Sequence, residues 1–342
     1  MTAQTDNRHT GFHFGSDGWF TDDSGNTCSM FGVVEFGVFL RALDAGYESP
    51  IGRKVIYAAA DAEEAVLAGD ERFRAGKWFG KRRALASIEQ RTVAMGWGVF
   101  KDETVSAPCH DGLCVGFALA YKEHRTGKRW KVDWRQVNTE LISINYEPNT
   151  QSMKPPPPID SSTWSHLRTP SSLALSFPPE FELRPYGFFL NEERSFFLNV
   201  GMMHRLFFEL LGRPLKRSAE QERGCVVGGA VEHPDVFSAV FDAAKEAFHQ
   251  SEIPIYVQSD HDWNDHFQNR ITRRGLGSVT VIKTVLKEGQ ESVFHLQSPL
   301  LPYACGLVTA MWERAHGSKG HASISKTENA VVLKVIHPPV DY

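Results

Sequence analysis

The chain has 342 residues, 42% hydrophobic and 23% charged, the balance of a globular protein rather than a disordered one. Its 37 Lys and Arg stand against 41 Asp and Glu, a net charge of −4 that argues against a nucleic-acid-binding surface, which usually shows as a basic domain. No apolar run approaches the roughly 20 residues that span a bilayer, and Met1 to Phe14 is polar with no hydrophobic signal core, so a cytoplasmic location is expected. The five cysteines, Cys28, Cys109, Cys114, Cys225 and Cys305, are an odd number and read as reduced thiols rather than a disulfide framework.

In chain order, a short hairpin precedes an apolar helix (Val33–Leu43), then a helix rich in Ala and a third, amphipathic helix ending at Gly96-Trp97-Gly98. A strand at Val99-Phe100, a helix over Val115–His124, a Gly-led hairpin and a closing strand Glu140–Tyr146 complete the first half. Between Pro148 and Pro179 lie eight of the 18 prolines, including Pro155 to Pro158, which excludes helix or central strand and marks a connection over 148–180. The pattern then returns: a hairpin, an apolar helix (Met202–Leu211), further helices, Gly275-Leu276-Gly277, a strand over Val279–Val285, a helix over Gly306–His316 and a closing strand Ala330–Ile336.

The two halves match in order. Gly18-Trp19-Phe20 aligns with Gly187-Phe188-Phe189, and Gly32 with Gly201, at an offset of 169. Ile56–Ala65 aligns with Phe237–Glu246 at 181, and Gly96-Trp97-Gly98 with Gly275-Leu276-Gly277 at 179. Gly116, Glu123, Gly127 and Pro148 align with Gly306, Glu313, Gly317 and Pro338 at 190. A collinear set of this kind reads as a tandem duplication, residues 1–147 and 181–342 around the linker. Helices and strands alternate without βαβ spacing, so the expected class is α+β with antiparallel sheets, the two copies forming an intramolecular pseudo-dimer.

The segment Gly187-Phe-Phe-Leu-Asn-Glu-Glu-Arg, the helix Gly201–Leu211 and Gly212-Arg213-Pro214 resemble the sensory region of phenol- and toluene-responsive transcription activators. There an aromatic-catabolism activator domain runs into a 4-vinyl reductase domain. Ser298-Pro299, Tyr303-Ala304-Cys305-Gly306 and the spacing from Pro299 to Gly317 are similar to that second domain, as is Pro108-Cys109-His110 in the first half. The resemblance implies a compact α+β unit that binds a small aromatic or apolar molecule in a buried pocket and pairs as a dimer. Family sensors that hold structural zinc carry a Cys-x-x-Met-Gly…Cys segment; Trp134–Ile142 and Ser325–Val332 contain no cysteine, so no zinc of that kind and no cofactor is expected. No Gly-x-x-x-x-Gly-Lys-Ser/Thr phosphate loop occurs, so the chain is not itself a full activator of that kind.

The densest chemistry is Cys109-His110-Asp111-Gly112-Leu113-Cys114, either a Cys/His nucleophile pair or a turn with buried thiols. Glu123 and Glu313, on matching helices, are candidate general acids or a structural ion pair at the seam between copies. Asp262 and His266 share a helix face at metal-ligand spacing, with a solvated helix start as the plainer reading. Trp78, Trp97, Trp263, Tyr303 and Trp312 are candidates to line an aromatic-accepting cavity, or simply core. Gly275-Leu-Gly277 lacks the third glycine of a dinucleotide loop, and the basic run Arg72–Arg83 reads as a solvated helix edge.

Two functions follow. The first is binding of a small apolar or aromatic molecule, acting on or with a protein partner, without direct contact to nucleic acid or membrane. The second is a metabolic enzyme acting on an aromatic or tetrapyrrole-like molecule, with its active site in one copy only. A structural adaptor is a third, weaker reading.

Overall fold

The computed structural model describes residues 11–74, 80–150, 155–156, 158, 160–165, 182–184, 186–190, 192–216, 225–228, 231–285, 291–327 and 331–337. Trp78 and most of the proline-rich connection lie outside the described residues. The first half runs β1 (Phe12–Phe14), β2 (Phe20–Asp22), β3 (Thr27–Gly32), α1 (Val33–Ala45), α2 (Gly52–Gly69), α3 (Gly80–Ala94), β4 (Val99–Lys101), β5 (Thr104–Ser106), α4 (Asp111–Thr126), β6 (Trp130–Asn138) and β7 (Leu141–Pro148). The second runs β8 (Glu182–Arg184), β9 (Gly187–Leu190), β10 (Glu193–Asn199), α5 (Val200–Glu209), β11 (Cys225–Val227), α6 (Pro234–His249), α7 (Asp262–Arg270), β12 (Ser278–Val285), β13 (Glu291–Gln297), α8 (Leu301–His316), β14 (His321–Lys326) and β15 (Val331–Ile336). The class is α+β, as the sequence pattern predicts.

Three sheets organise these elements. One takes a hairpin set from each half, in the order β1-β2-β3-β10-β9-β8, so that β3 and β10 pair antiparallel across the seam from Cys28 opposite Asn199 to Gly32 opposite Ser195. The other two stay within a half: β4-β5-β7-β6 in the first and β12-β13-β15-β14 in the second, where β11 adds a parallel edge strand beside β14. The first-half sheet has no such addition among the described residues, and β6 ends it.

Helix pairs repeat in the same way. Within the halves α2 packs on α4 and α6 on α8; across them α1 packs on α6 and α2 on α5. Close approach requires glycine at the crossing: a Cβ on Gly116 would fall 2.3 Å from the Ile56 carbonyl oxygen, and one on Gly306 2.3 Å from that of Phe241. Both α4 and α8 end on a left-handed glycine, Gly127 (φ 66°) and Gly317 (φ 64°), where an L side chain would be strained. The crossing glycines make Ile56 equivalent to Phe241, four residues beyond the alignment expected from sequence. Ala-rich helices look alike after a shift of one turn, and packing resolves what composition leaves ambiguous.

One buried apolar cluster passes through both halves, from Phe12, Phe31 and Trp97 to Phe196, Phe241 and Trp312. The backbone stitches the seam as well. Phe197 N–H donates to the Met95 carbonyl (2.8 Å), Gly277 N–H to Gly18 (3.1 Å), and the Trp97 indole to the Phe197 carbonyl (2.7 Å). Among the described residues no helix is long and apolar enough to cross a membrane.

Candidate functional site

A cavity of about 620 Å³ opens in the first half between α3, α4, the β4–β5 hairpin and β7. Its inner wall is apolar: Phe73, Ala84, Ile88 and Ala118 are buried, and Phe100, Tyr121 and Tyr146 are half-buried. Phe100 and Tyr121 meet edge-to-face at 5.8 Å, so the wall is aromatic on the side of α4 and the sheet. Such a volume is that of a small-molecule pocket, which typically measures about 300–1,000 Å³.

Polar groups behind the wall are already engaged. The Tyr121 hydroxyl donates to Glu63 Oε1 (3.1 Å), and burial followed by that carboxylate pushes its phenol well up. Glu63 in turn receives Arg91 Nε (2.7 Å), whose Nη1 reaches Asp22 (3.0 Å), a buried network in which both carboxylates share one guanidinium. His124 Nε2 lies 2.8 Å from the Phe73 carbonyl oxygen and ties α4 to the turn carrying that ring.

The corresponding layer of the second half is filled. Counted back from the Gly-x-Gly turn, Ala84 and Trp263 each stand twelve residues before the first glycine, and Ile88 and Phe267 each stand eight before it. Counted back from the helix-ending glycine, Lys122 and Trp312 each stand five before it. Trp263 stacks on Phe267 (5.3 Å, 12°) and meets Phe294 edge-on (5.6 Å). Trp312 stacks on His316 (4.2 Å) and donates its indole N–H to Ser292 Oγ (2.9 Å). By this count two buried indoles stand in the second half where the first has Ala84 and Lys122.

A second first-half cavity, about 910 Å³, lies where the N-termini of α2 and α4 approach α1 and β6. Cys109, His110, Asp111, Arg41 and Trp134 are among its lining residues. Cys109 is 2% exposed, its Sγ 3.8 Å from that of Cys114, and burial, then Cys114, push its thiol well up. Burial, with Arg41 nearby, lowers the His110 imidazole to about 4, and its Nδ1 is buried without a hydrogen-bond partner. A protonated thiol beside a neutral ring is the arrangement of inert rather than activated cysteine. In the second half the equivalent groove holds Trp164: its carbonyl accepts the first N–H of α8 (Leu301, 2.9 Å) and its ring meets Phe207 at 5.5 Å and His233 at 5.7 Å.

The carboxylate pair expected at the seam lies inside each half instead. Glu123 Oε1 accepts the Trp130 N–H (2.8 Å) and Oε2 pairs with Arg129, which also bridges to Glu64. Glu313 Oε1 accepts the Gly320 N–H (2.9 Å) and Lys245 Nζ (2.6 Å), while Oε2 meets His249 Nε2 (2.6 Å). Burial alone would raise the Glu313 pKa, but the bonds to His249, Lys245 and Gly320 hold it below the ordinary value. Each glutamate fastens the end of the long helix to the strand that follows, and neither lines the two cavities.

The aromatic candidates also sit in the core. Trp97, fully buried, stacks on Phe117 (3.7 Å). Tyr303 contacts Phe31 and Phe39 at the seam and donates its hydroxyl to Glu35 Oε1 (2.5 Å). With Trp263 and Trp312 these are structural rings, and none of the four lines either cavity. Asp262 accepts the N–H groups of Gln258 (2.8 Å) and Ser259 (2.9 Å), a capping role, and His266 Nε2 lies 3.1 Å from the Tyr256 carbonyl oxygen. Among the described residues no group of three or more His, Cys, Asp or Glu comes together as a metal site. The rings that do line the smaller cavity, Phe73, Phe100, Tyr121 and Tyr146, carry one available signal: a small or charged residue in one half where the other has tryptophan at the same count.

Compared with protein-family models, curated proteins and solved structures, the chain matches none.

Proposed function

We propose that the chain is a duplicated ligand-binding protein of the aromatic-sensor kind, in which the first half holds a small apolar or aromatic molecule and the second half is scaffold. One observation carries this reading: the same layer of the fold is an open aromatic-walled cavity where Ala84 and Lys122 stand, and a packed core where Trp263 and Trp312 stand. Burying an aromatic ligand there gains roughly 25 cal/mol per Å² of apolar surface removed from water, without breaking the satisfied network behind Tyr121. The bound state is read by a protein partner, and five free, buried cysteines fit the reducing cytoplasm.

Native against denaturing mass spectrometry of freshly purified protein tests the reading, together with Ala84→Trp, which imports the second half's own filler. A co-purified apolar molecule, or binding of added aromatic probes, that disappears in Ala84→Trp is the expected result. Binding that survives Ala84→Trp in a folded variant places the ligand elsewhere and overturns it.

The enzyme reading rests on Cys109 and His110 lining the larger cavity. The protonated thiol and the neutral imidazole make it the lesser of the two.

A further inference from the structure

The rim of the smaller cavity differs in charge from the rest of its half. Arg82 and Arg125 are exposed there, Lys101 is exposed beside the β4–β5 turn, and Lys122 is half-buried. Among the described residues none of these four cations has a carboxylate within ion-pair distance, as Arg72, Arg91 and Arg129 do, though Arg41, Arg53, Arg83, Lys128, Lys131 and Arg135 of the same half are unpaired too. Lys122 is nonetheless held in place: its Nζ lies 4.8 Å from the centroids of both the Trp130 and Tyr146 rings. Two acidic residues, Glu89 and Asp102, share the rim and are outnumbered. Most polar groups of the floor are engaged within the protein: the Tyr121 hydroxyl with Glu63, the Thr92 hydroxyl with the Glu89 carbonyl and His124 Nε2 with the Phe73 carbonyl, while Tyr146 adds a hydroxyl to the lining.

An apolar floor beneath an uncompensated cationic rim selects an amphipathic anion. A neutral ring gains only the wall. A ring bearing a carboxylate gains the wall and keeps its charge at the mouth, half-solvated, where guanidinium and ammonium donors make charge-assisted hydrogen bonds. We infer that the ligand of this cavity is an aromatic ring carrying one anionic group, its ring against Phe73, Phe100 and Tyr146 and its charge between Arg82, Lys122 and Arg125. The inference rests on the cavity being the binding site, and it adds the ligand's charge.

A matched pair of probes separates the two claims: 2-naphthoate and its neutral isostere 2-naphthamide, titrated calorimetrically into the full chain. The acid is expected to bind about tenfold tighter or better, as one to two charge-assisted bonds provide. That preference should collapse in Arg82→Gln/Arg125→Gln, whose exposed side chains leave the core untouched, and at about 1 M salt, where the Debye length is about 3 Å. Naphthamide affinity should change in neither case. Equal binding of the two probes, both blocked by Ala84→Trp, leaves the cavity as the site and overturns the anionic ligand. Binding of neither probe, or binding indifferent to Ala84→Trp, overturns the cavity and the inference with it.

Discussion

Apart from the added β11, the two halves share element order, sheet order and the glycines at their helix crossings, yet they differ at the two first-half cavities described above. In the first half α3 presents Ala84 and Ile88 to the sheet; in the second, α7 presents Trp263 and Phe267. The β4–β5 hairpin turns after three residues, whereas β12 and β13 run on for eight and seven and bring Phe294 onto the tryptophan. Beside α8 the groove is closed by Trp164 and the sheet edge by β11; beside α4, among the described residues, nothing closes either. Packing at the matching positions of one half leaves the other to hold space for something else. Cavities cost stability, so a cavity beside a filled counterpart is the one to which function is best assigned.

Trp164→Ala puts the comparison at greatest risk. It should remake the second half's groove in the image of the first, and truncating a fully packed indole costs about 3–5 kcal/mol. Chemical denaturation should show that loss with probe binding in the first half unchanged. A loss below about 1 kcal/mol would mean that Trp164 rests on the surface of the groove rather than closing it.

The second-largest effect is electrostatic and sharpens the comparison at the helix that opens each groove. His110 stands at the start of α4 and Leu300 at the start of α8. The imidazole of His110 titrates at about 4 in the folded chain, and an unfolded histidine at about 6.5. Between those values the unfolded chain takes up a proton that the folded chain refuses, so stability falls as pH falls through this window. At about 1.4 kcal/mol per pKa unit the loss amounts to about 3 kcal/mol near pH 4. His110→Leu, which borrows the second half's residue, should flatten urea midpoints measured from pH 7 to 4.5 by that share and cost nothing at pH 7, since it also removes an unpartnered buried nitrogen. His204, buried on α5 with its pKa likewise lowered to about 4, should keep its own slope in the variant and serves as an internal control.

Much of this architecture was legible in the residues. Gly96 and Gly98 before β4, Gly275 and Gly277 before β12, and Gly127 and Gly317 after the long helices all have positive φ, and each was visible as a matched glycine. Less legible was whatever depends on a partner far away in sequence. Glu123 and Glu313 match, but only the fold shows each fastening its own helix end instead of meeting across the seam. Trp97, Trp263, Tyr303 and Trp312 stood out as large aromatic residues, and size is what places them in the core; the cavity falls where size is missing, at Ala84. Trp164 was hidden by its proline-rich surroundings, which describe a connection and say nothing of a side chain that plugs a groove.

The smallest effect concerns how the halves hold one another. Ion pairs that join them include Glu35 with Arg274, buried and completed by Tyr303, and Lys54 with Glu209 at 2.6 Å, whose side chains remain 35% and 30% exposed. The buried pair has its remaining acceptors satisfied, so removing either partner would strand a charge. The exposed pair has no such leverage. Solvent screens it, and ordering two long side chains offsets much of the attraction, so its worth is about 0–1 kcal/mol. Lys54→Met should therefore shift the denaturation midpoint by no more than that, and the shift should vanish at high salt. A larger, salt-resistant loss would show that the halves depend on their surface contacts. That would contradict a seam built on the β3–β10 ladder and a buried apolar cluster shared by both halves.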